Sequence, residues 1–310
     1  MNASWMTTSE PMRPHTAKVL LGYSCNNHCV FCYDRYHKNI PAKTTQELRE
    51  EISSAFRQGF PRLLLMGGEP TIRRDIMALV AHARKTGFHD IMLTTNGRML
   101  AYPRFVSALV ASGVSQIVIS LCGPVAGVHD ALTGSPGSFE QLMRGVENVR
   151  RAGVKNLGVN TTVVAQNYKY LPAIADMLLK WRIQRTEFIY VAADRRVFRR
   201  VTPRVSEAAA FINDALGRGK ANGYFWKLVN APLPCYFGPF FDHLSYAGGE
   251  NNTLFVTTRK TPFYQKAEAK KRVFWTLCGK CARCSKKHSC RGISMSYRDA
   301  FGDKEVRPLS

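Results

Sequence analysis

The sequence is short of acid. Its 310 residues carry 22 Asp and Glu against 44 Lys and Arg, a formal charge of +22. Such an excess attracts acidic partners: nucleic acid, an acidic peptide, a phosphorylated small molecule or an acidic electron donor. The sequence also lacks any apolar run of about 18 residues, so no membrane span is expected. Its first 18 residues, MNASWMTTSEPMRPHTAK, contain no apolar stretch of the kind a secretory signal needs, and a cytoplasmic protein is expected. Internal repeats and low-complexity tracts are absent. Cysteine, by contrast, is plentiful. Nine cysteines in a compartment that keeps thiols reduced read as metal ligands rather than as a disulfide framework.

Residues 17–193 alternate between short apolar runs and amphipathic stretches. KVLLGYS (17–23) reads as a buried strand, and TTQELREEISSAFRQG (44–59) as a helix with Thr44 or Thr45 as its cap. RLLLMGG (62–68), DIMLTTNG (90–97), QIVISLC (116–122), LGVNTTVV (157–164) and TEFIYVA (186–192) are strand-like. Helical patterns at 73–87, 103–113, 138–153 and 168–181 separate them. Six β/α units of this kind imply an α/β fold with a parallel sheet covered by helices. Six are too few for a closed eight-stranded barrel, which leaves a partial barrel or a doubly wound sheet. In either, ligands sit beyond the carboxyl ends of the strands. The pattern changes near residue 200. The expected division is an N-terminal tail (1–16), a β/α core (17–200) and a C-terminal part (201–310) with a helix over 205–219 and a cysteine-rich end. Positive charge is spread over both halves, and its densest run, residues 181–204, has seven Arg against Glu187 and Asp194. A second basic run, KAEAKKRVFW, precedes the last cysteines.

YSCNNHCVFCYD (23–34) follows the first predicted strand and holds Cys25, Cys29 and Cys32. Thiolates are soft ligands that suit iron–sulfur clusters and zinc. Three thiolates on a four-iron cluster leave one iron open, as a catalytic zinc site leaves one position open. His28, inside the loop, reads as a spacer. MGGEP (66–70) ends the second strand, TTNG (94–97) the third, and Ser120 the fourth.

The C-x3-C-x2-C loop after strand one, with Phe31 before its last cysteine and GGEP after strand two, resembles the radical S-adenosylmethionine (SAM) superfamily. The resemblance covers roughly residues 17–193. It implies a partial (β/α)6 TIM-like barrel with a [4Fe–4S] cluster on Cys25, Cys29 and Cys32, and SAM on the open iron. Electron transfer then cleaves SAM to a 5'-deoxyadenosyl radical that abstracts a substrate hydrogen. By the same resemblance Gly67, Gly68, Glu69 and Pro70 approach SAM, Glu69 accepting from its ammonium. Thr95, Asn96, Ser120, Asn160, Thr162, Tyr190 and Val191 line its pocket. Cys122, beyond Ser120, is a candidate hydrogen donor or substrate ligand; its bland alternative is a small buried hydrophobe.

LCGKCARCSKKHSCRG contributes Cys278, Cys281, Cys284 and Cys290, and Cys235 lies upstream in PLPCYFG. The segment resembles the C-terminal motifs of radical SAM enzymes of the SPASM and twitch type, which implies a cysteine-rich extension with a second, auxiliary [4Fe–4S] cluster. One set of ligands is Cys235, Cys281, Cys284 and Cys290 with Cys278 spare; another is Cys278, Cys281, Cys284 and Cys290; a structural zinc site is the third alternative. The favoured expectation is an enzyme that oxidises or rearranges a peptide or natural product. An acidic peptide substrate and a flavodoxin or ferredoxin donor would suit the charge. Nucleotide or RNA modification is the alternative, although no RNA-binding module is recognisable. A non-catalytic zinc- or cluster-dependent nucleic-acid binder is the third.

Overall fold

The computed structural model describes residues 16–37, 39–193, 195–245, 253–255 and 275–310. Residues 1–15 of the expected tail and most of the KAEAKKRVFW run lie outside the described residues. The first six strands are β1 (Thr16–Leu20), β2 (Arg62–Met66), β3 (Asp90–Thr95), β4 (Gln116–Ser120), β5 (Asn156–Val163) and β6 (Arg185–Tyr190). Each pairs in parallel with the next, through registers such as Leu20 with Met66, Thr95 with Ile119 and Ser120 with Asn160. This is the expected partial barrel.

The sheet continues further than the sequence pattern indicates. β7 (Lys227–Val229) and β8 (Leu244–Ser245) extend it beyond β6, and β9 (Thr253–Phe255) pairs with β1. The order is β8-β7-β6-β5-β4-β3-β2-β1-β9, parallel throughout. Residue 200 is therefore not the edge of the sheet. Strands of two or three residues carry no readable period, which is why the sequence pattern stops at six.

The helices are α1 (Thr45–Arg57), α2 (Ile76–Thr86), α3 (Pro103–Ser112), α4 (Ala126–Thr133), α5 (Ser138–Arg151), α6 (Leu171–Lys180), α7 (Phe198–Val201), α8 (Val205–Ala221) and α9 (Met295–Phe301). Thr44 caps α1 in a reciprocal box with Glu47. α4 is absent from the sequence pattern because it is only eight residues long. Among the described residues no helix is long and apolar enough to cross a membrane.

Strand residues alternate in environment, as the pleat requires. Ala17, Val19, Leu63, Leu65, Ile91, Leu93, Ile117, Ile119, Val159, Phe188 and Tyr190 pack in the main core with the helices. Their neighbours, including Lys18, Ser120, Asn160, Thr162 and Glu187, are half-buried and face the barrel lumen. Lys18 and Glu187 interact across that lumen. Burial pushes the Lys18 ammonium below its ordinary range, and Glu187 opposes the shift.

A buried ion pair anchors the chain leaving the cysteine loop. Lys43 Nζ lies 2.7 Å from Glu51 Oε2, with side chains 5% and 0% exposed. The Lys43 carbonyl accepts from Arg73, which also donates to the Leu21 carbonyl at the end of β1. Glu51→Ala strands the Lys43 cation in the interior. It should lower unfolding stability by about 3–5 kcal/mol, read as a shifted urea midpoint with unchanged slope.

Candidate functional site

The end of β2 presses against the cysteine loop. Gly67 and Gly68 have φ of 96° and 53°. A Cβ on Gly67 would stand 2.2 Å from Leu20 Cδ1, and one on Gly68 would stand 2.2 Å from the Ser24 carbonyl oxygen. Gly68 thus lets the loop's own backbone close in, and Gly67 makes room for the Leu20 side chain of β1. The Glu69 amide donates to the Ser24 carbonyl at 2.8 Å, and the Gly68 amide donates to the Asp34 carboxylate just beyond Cys32.

Glu69 is 2% exposed and already accepts four hydrogen bonds. Oε1 receives the Thr71 amide (3.0 Å), the Thr71 hydroxyl (2.5 Å) and the Thr95 hydroxyl (2.6 Å); Oε2 receives the Asn96 amide (2.6 Å). Burial pushes its carboxyl above the ordinary value, against the pull of these donors. The carboxylate expected to meet the SAM ammonium is thus largely engaged within the protein, tying β2 to β3. Pro70 is buried and opens the 3-10 turn Pro70–Ile72.

The third strand's turn holds the loop from the other side. Asn96 Nδ2 donates to Asn26 Oδ1 at 2.7 Å and approaches Cys25 Sγ at 3.9 Å. Arg98 donates to the Asn26 carbonyl, to Asn27 Oδ1 (3.0 Å) and to Gln141 Oε1 (2.6 Å). α4 forms a third wall, where His28 and Val30 amides donate to the Thr133 and Leu132 carbonyls. None of Asn26, Asn27, Arg98 or α4 stands out in the sequence, since each acts through partners distant in the chain.

Cys25, Cys29 and Cys32 converge. Burial pushes each thiol up, and the negative charges of its neighbours raise it further: Glu69 and Cys32 act on Cys25, Cys122 and Cys32 on Cys29, and Asp34 on Cys32. Backbone N–H groups face the sulfurs, with the Asn27 amide 3.3 Å from Cys25 Sγ and those of Asp34 and Arg35 on Cys32. Among the described residues no three Cys, His, Asp or Glu side chains gather as a single metal ion requires.

Ser120 and Asn160 are register partners and face the lumen beside the loop, with Thr162 two residues further along β5. Tyr190 corrects an expectation. It lies on the opposite face of β6, 1% exposed, with its hydroxyl donating to the Pro203 carbonyl at 2.7 Å. Strand parity decides this, since Glu187 and Ile189 take the lumen positions. Val191, also expected at the pocket, packs in a second apolar cluster with Cys122, Leu132, Val164, Val197 and Val201, against Val30 and Phe31. The Cys122 thiol is 3% exposed and pushed up to about 12 by burial alone. In this structure it is a packing residue beneath the loop, not a lumen group.

The second cysteine group also converges. Cys235, Cys281, Cys284 and Cys290 line one small cavity, together with Lys287, Arg307 and apolar neighbours, and Cys278 stands outside it. Each of the four sulfurs receives a backbone N–H, from Arg307 to Cys235, Cys278 to Cys281 (3.4 Å), Leu309 to Cys284 (3.4 Å) and Gly292 to Cys290 (3.3 Å). Cys278 Sγ is 3.6 Å from Cys281 Sγ. Cys235 reaches the group because the Ser294 amide in β11 (Ile293–Ser294), paired with β10 (Trp275–Thr276), donates to the Pro232 carbonyl.

The family profile described as "Radical SAM superfamily" matches residues 19–178. An AdoMet-dependent heme synthase of Methanosarcina barkeri is 36% identical over 145 residues, 46% of this chain and 41% of that protein. The mycofactocin maturase MftC of Mycolicibacterium smegmatis is 33% identical over 163 residues, 52% of this chain and 41% of that protein. Each match thus covers about two-fifths of the relative's length. A solved structure, "Native anSMEcpe with bound AdoMet and Cp18Cys peptide", superposes with a TM-score of 0.67 at 14% identity, covering 95% of this chain and 93% of that one. At that identity it shows a shared fold.

The loop's supports can be tested one at a time. Arg98→Met should weaken iron retention about tenfold or more, read as iron kept against a chelator, with the far-ultraviolet spectrum unchanged. His129 on α4 accepts the Cys122 amide at Nδ1 (3.2 Å) and is 1% exposed. Burial lowers its pKa from 6.5 to about 4. Between those values the unfolded chain binds a proton that the folded chain refuses, so stability falls as pH drops from 6.5 towards 4 and levels below. The full effect is about 3 kcal/mol. His129→Gln should flatten that part of the pH–stability curve relative to wild type.

Proposed function

The chain belongs to the radical SAM superfamily, and from that premise we propose that it modifies a peptide by radical chemistry, with a second iron–sulfur centre in its C-terminal part. Superfamily membership implies a [4Fe–4S] cluster and SAM, which when bound supply the 5'-deoxyadenosyl radical that takes a hydrogen atom from substrate. The residues present suit that group. Three thiols share one loop at the carboxyl end of the sheet. Amides reach their sulfurs, and the loop is fastened by Gly68, Glu69, Asn96 and Arg98. Ser120 and Asn160 offer a hydroxyl and an amide to SAM from the lumen wall, with Lys18 and Glu187 below them. The apolar layer of Val30, Phe31, Cys122 and Val191 excludes water from one side of the loop.

The observation that carries the second centre is the cavity shared by Cys235, Cys281, Cys284 and Cys290, with one backbone donor per sulfur. Backbone hydrogen bonds to sulfur are among the levers by which proteins tune iron–sulfur centres. The set leaves Cys278 spare. The peptide reading is supported by the maturase among the relatives and by the peptide present in the superposed structure. The heme synthase relative favours a second reading, a macrocyclic small molecule. A non-catalytic binder is set aside, since the relatives are enzymes.

Anaerobic reconstitution tests the two centres. Wild type should hold about eight irons, Cys290→Ala about four, and Cys278→Ala about eight. With SAM and dithionite, wild type and Cys278→Ala should release 5'-deoxyadenosine, and Cys29→Ala should not. About four irons in wild type would defeat the second centre; no 5'-deoxyadenosine would defeat the radical reading.

A further inference from the structure

The lumen of the barrel holds charge to which the reading above gives no task. At the amino ends of the strands, charge is paired off. Arg62 Nε lies 2.9 Å from Asp90 Oδ2, Gln116 Nε2 donates to Asp90 Oδ1 at 2.6 Å, and Arg185 donates to Gln116 Oε1 at 3.1 Å. Further along, one polar row crosses four strands. Ser120 on β4 pairs in register with Asn160 on β5, Asn160 with Glu187 on β6, and Glu187 with Lys227 on β7. Register partners project to one face of a sheet, and all four are half-buried. On the opposite face Phe188, Trp226 and Leu228 pack in the main core, which leaves the lumen to Glu187 and Lys227. Lys18 on β1 joins them from across the lumen, where burial works against its ammonium and Glu187 works for it.

Among the described strand residues, this stretch of the lumen holds two cations, Lys18 and Lys227, and one anion, Glu187. We propose that the two lysines form a subsite for a single carboxylate, with Glu187 as the counter-charge they share, and that the substrate peptide is anchored there by its C-terminal or a side-chain carboxylate. The proposal rests on the reading of this protein as a peptide-modifying enzyme. Charge selects the ligand. One monoanion brings Lys18, Glu187 and Lys227 to neutrality, whereas a phosphate dianion overshoots and meets the Glu187 carboxylate. Position selects a group of the substrate. Neighbouring strands lie about 4.8 Å apart, so the Lys227 backbone stands roughly 10 Å from that of Asn160. A carboxylate held by the lysines puts the residue that carries it beside the wall of Ser120 and Asn160, where the radical would form.

The test uses the reconstituted full chain and equilibrium dialysis of N-acetylated tripeptides. One set lacks Asp and Glu and is prepared as C-terminal acids and as C-terminal carboxamides. A second set is carboxamides with a central Glu or a central Gln. Wild type should retain an acid, C-terminal or borne by Glu, about tenfold or more over its neutral counterpart. Lys18→Met and Lys227→Met should each abolish that preference, and Lys227→Arg should keep it. Glu187→Gln should keep it at wild-type strength or above, because the carboxylate it removes competes for the same ammonium groups. A purely structural ion pair would instead make Glu187→Gln fail as the methionine variants do, and that result would overturn the proposal. Iron content and far-ultraviolet spectra matching wild type check the fold of each variant. Saturating SAM should leave retention of the acid in place; displacement by SAM would assign the lysines to the cofactor. Equal retention of acid and neutral peptides by wild type would also refute the carboxylate subsite. So would retention of adenosine monophosphate in place of the peptides, which would assign the lysines to a phosphate. Dialysis needs no reductant, so these outcomes are distinct from an absence of 5'-deoxyadenosine with dithionite, which refutes the radical reading itself.

Discussion

The active end of this barrel depends on one buried carboxylate. Glu69 sits where water cannot solvate it, and an unpaired carboxylate there would cost several kcal/mol. Four donors make it tolerable, and they come from Thr71, Thr95 and Asn96, on two different strand ends. The demand for those donors fixes the turn after β3 relative to the turn after β2. Asn96 then stands where its amide meets Asn26, and the adjoining Arg98 reaches two further groups of the loop. Gly68, just before Glu69, allows the loop's backbone to close onto the same point. A loop with no regular structure is thereby held from three sides.

Much of this was legible locally. A strand, a helix period, a capping box and a cysteine spacing are each written in consecutive residues, and the first six strands and the Thr44 cap lie where the pattern puts them. What was not legible depends on partners far along the chain. α4 has too few residues for a period, yet its last carbonyls hold His28 and Val30. The strands β7, β8 and β9 are shorter than a repeat, so the sheet's true width is hidden. Tyr190 has the size and polarity of a pocket residue, but a shift of one position along β6 puts it on the helix side. Cys235 is recognisable as a thiol. Its place beside Cys281, Cys284 and Cys290 follows only from the bond between β11 and Pro232.

The two cysteine groups are built on one principle and closed differently. In both, backbone amides face the sulfurs, and burial pushes up the thiols of Cys25, Cys29, Cys32, Cys235, Cys281 and Cys290, so that binding a cluster there would release protons. The loop group offers three sulfurs. The C-terminal group offers four around one cavity, and a complete set leaves no iron open for a small molecule. On this reading the first centre can bind a reactant and the second can only pass charge or brace the fold.

Their electrostatic surroundings differ in the same sense. Asp34 and Glu69 stand near Cys32 and Cys25 and raise the cost of negative charge there, while the Arg35 guanidinium opposes Asp34 at Cys32. Lys287 and Arg307 line the other cavity. Adding an electron to a cluster adds negative charge, so nearby carboxylates depress a reduction potential and nearby cations raise it. With equal cluster types, the loop centre should be the stronger reductant and the C-terminal centre the better electron acceptor. An enzyme that uses a strongly reducing electron to make a radical, and must later remove one from an oxidised product radical, needs that ordering.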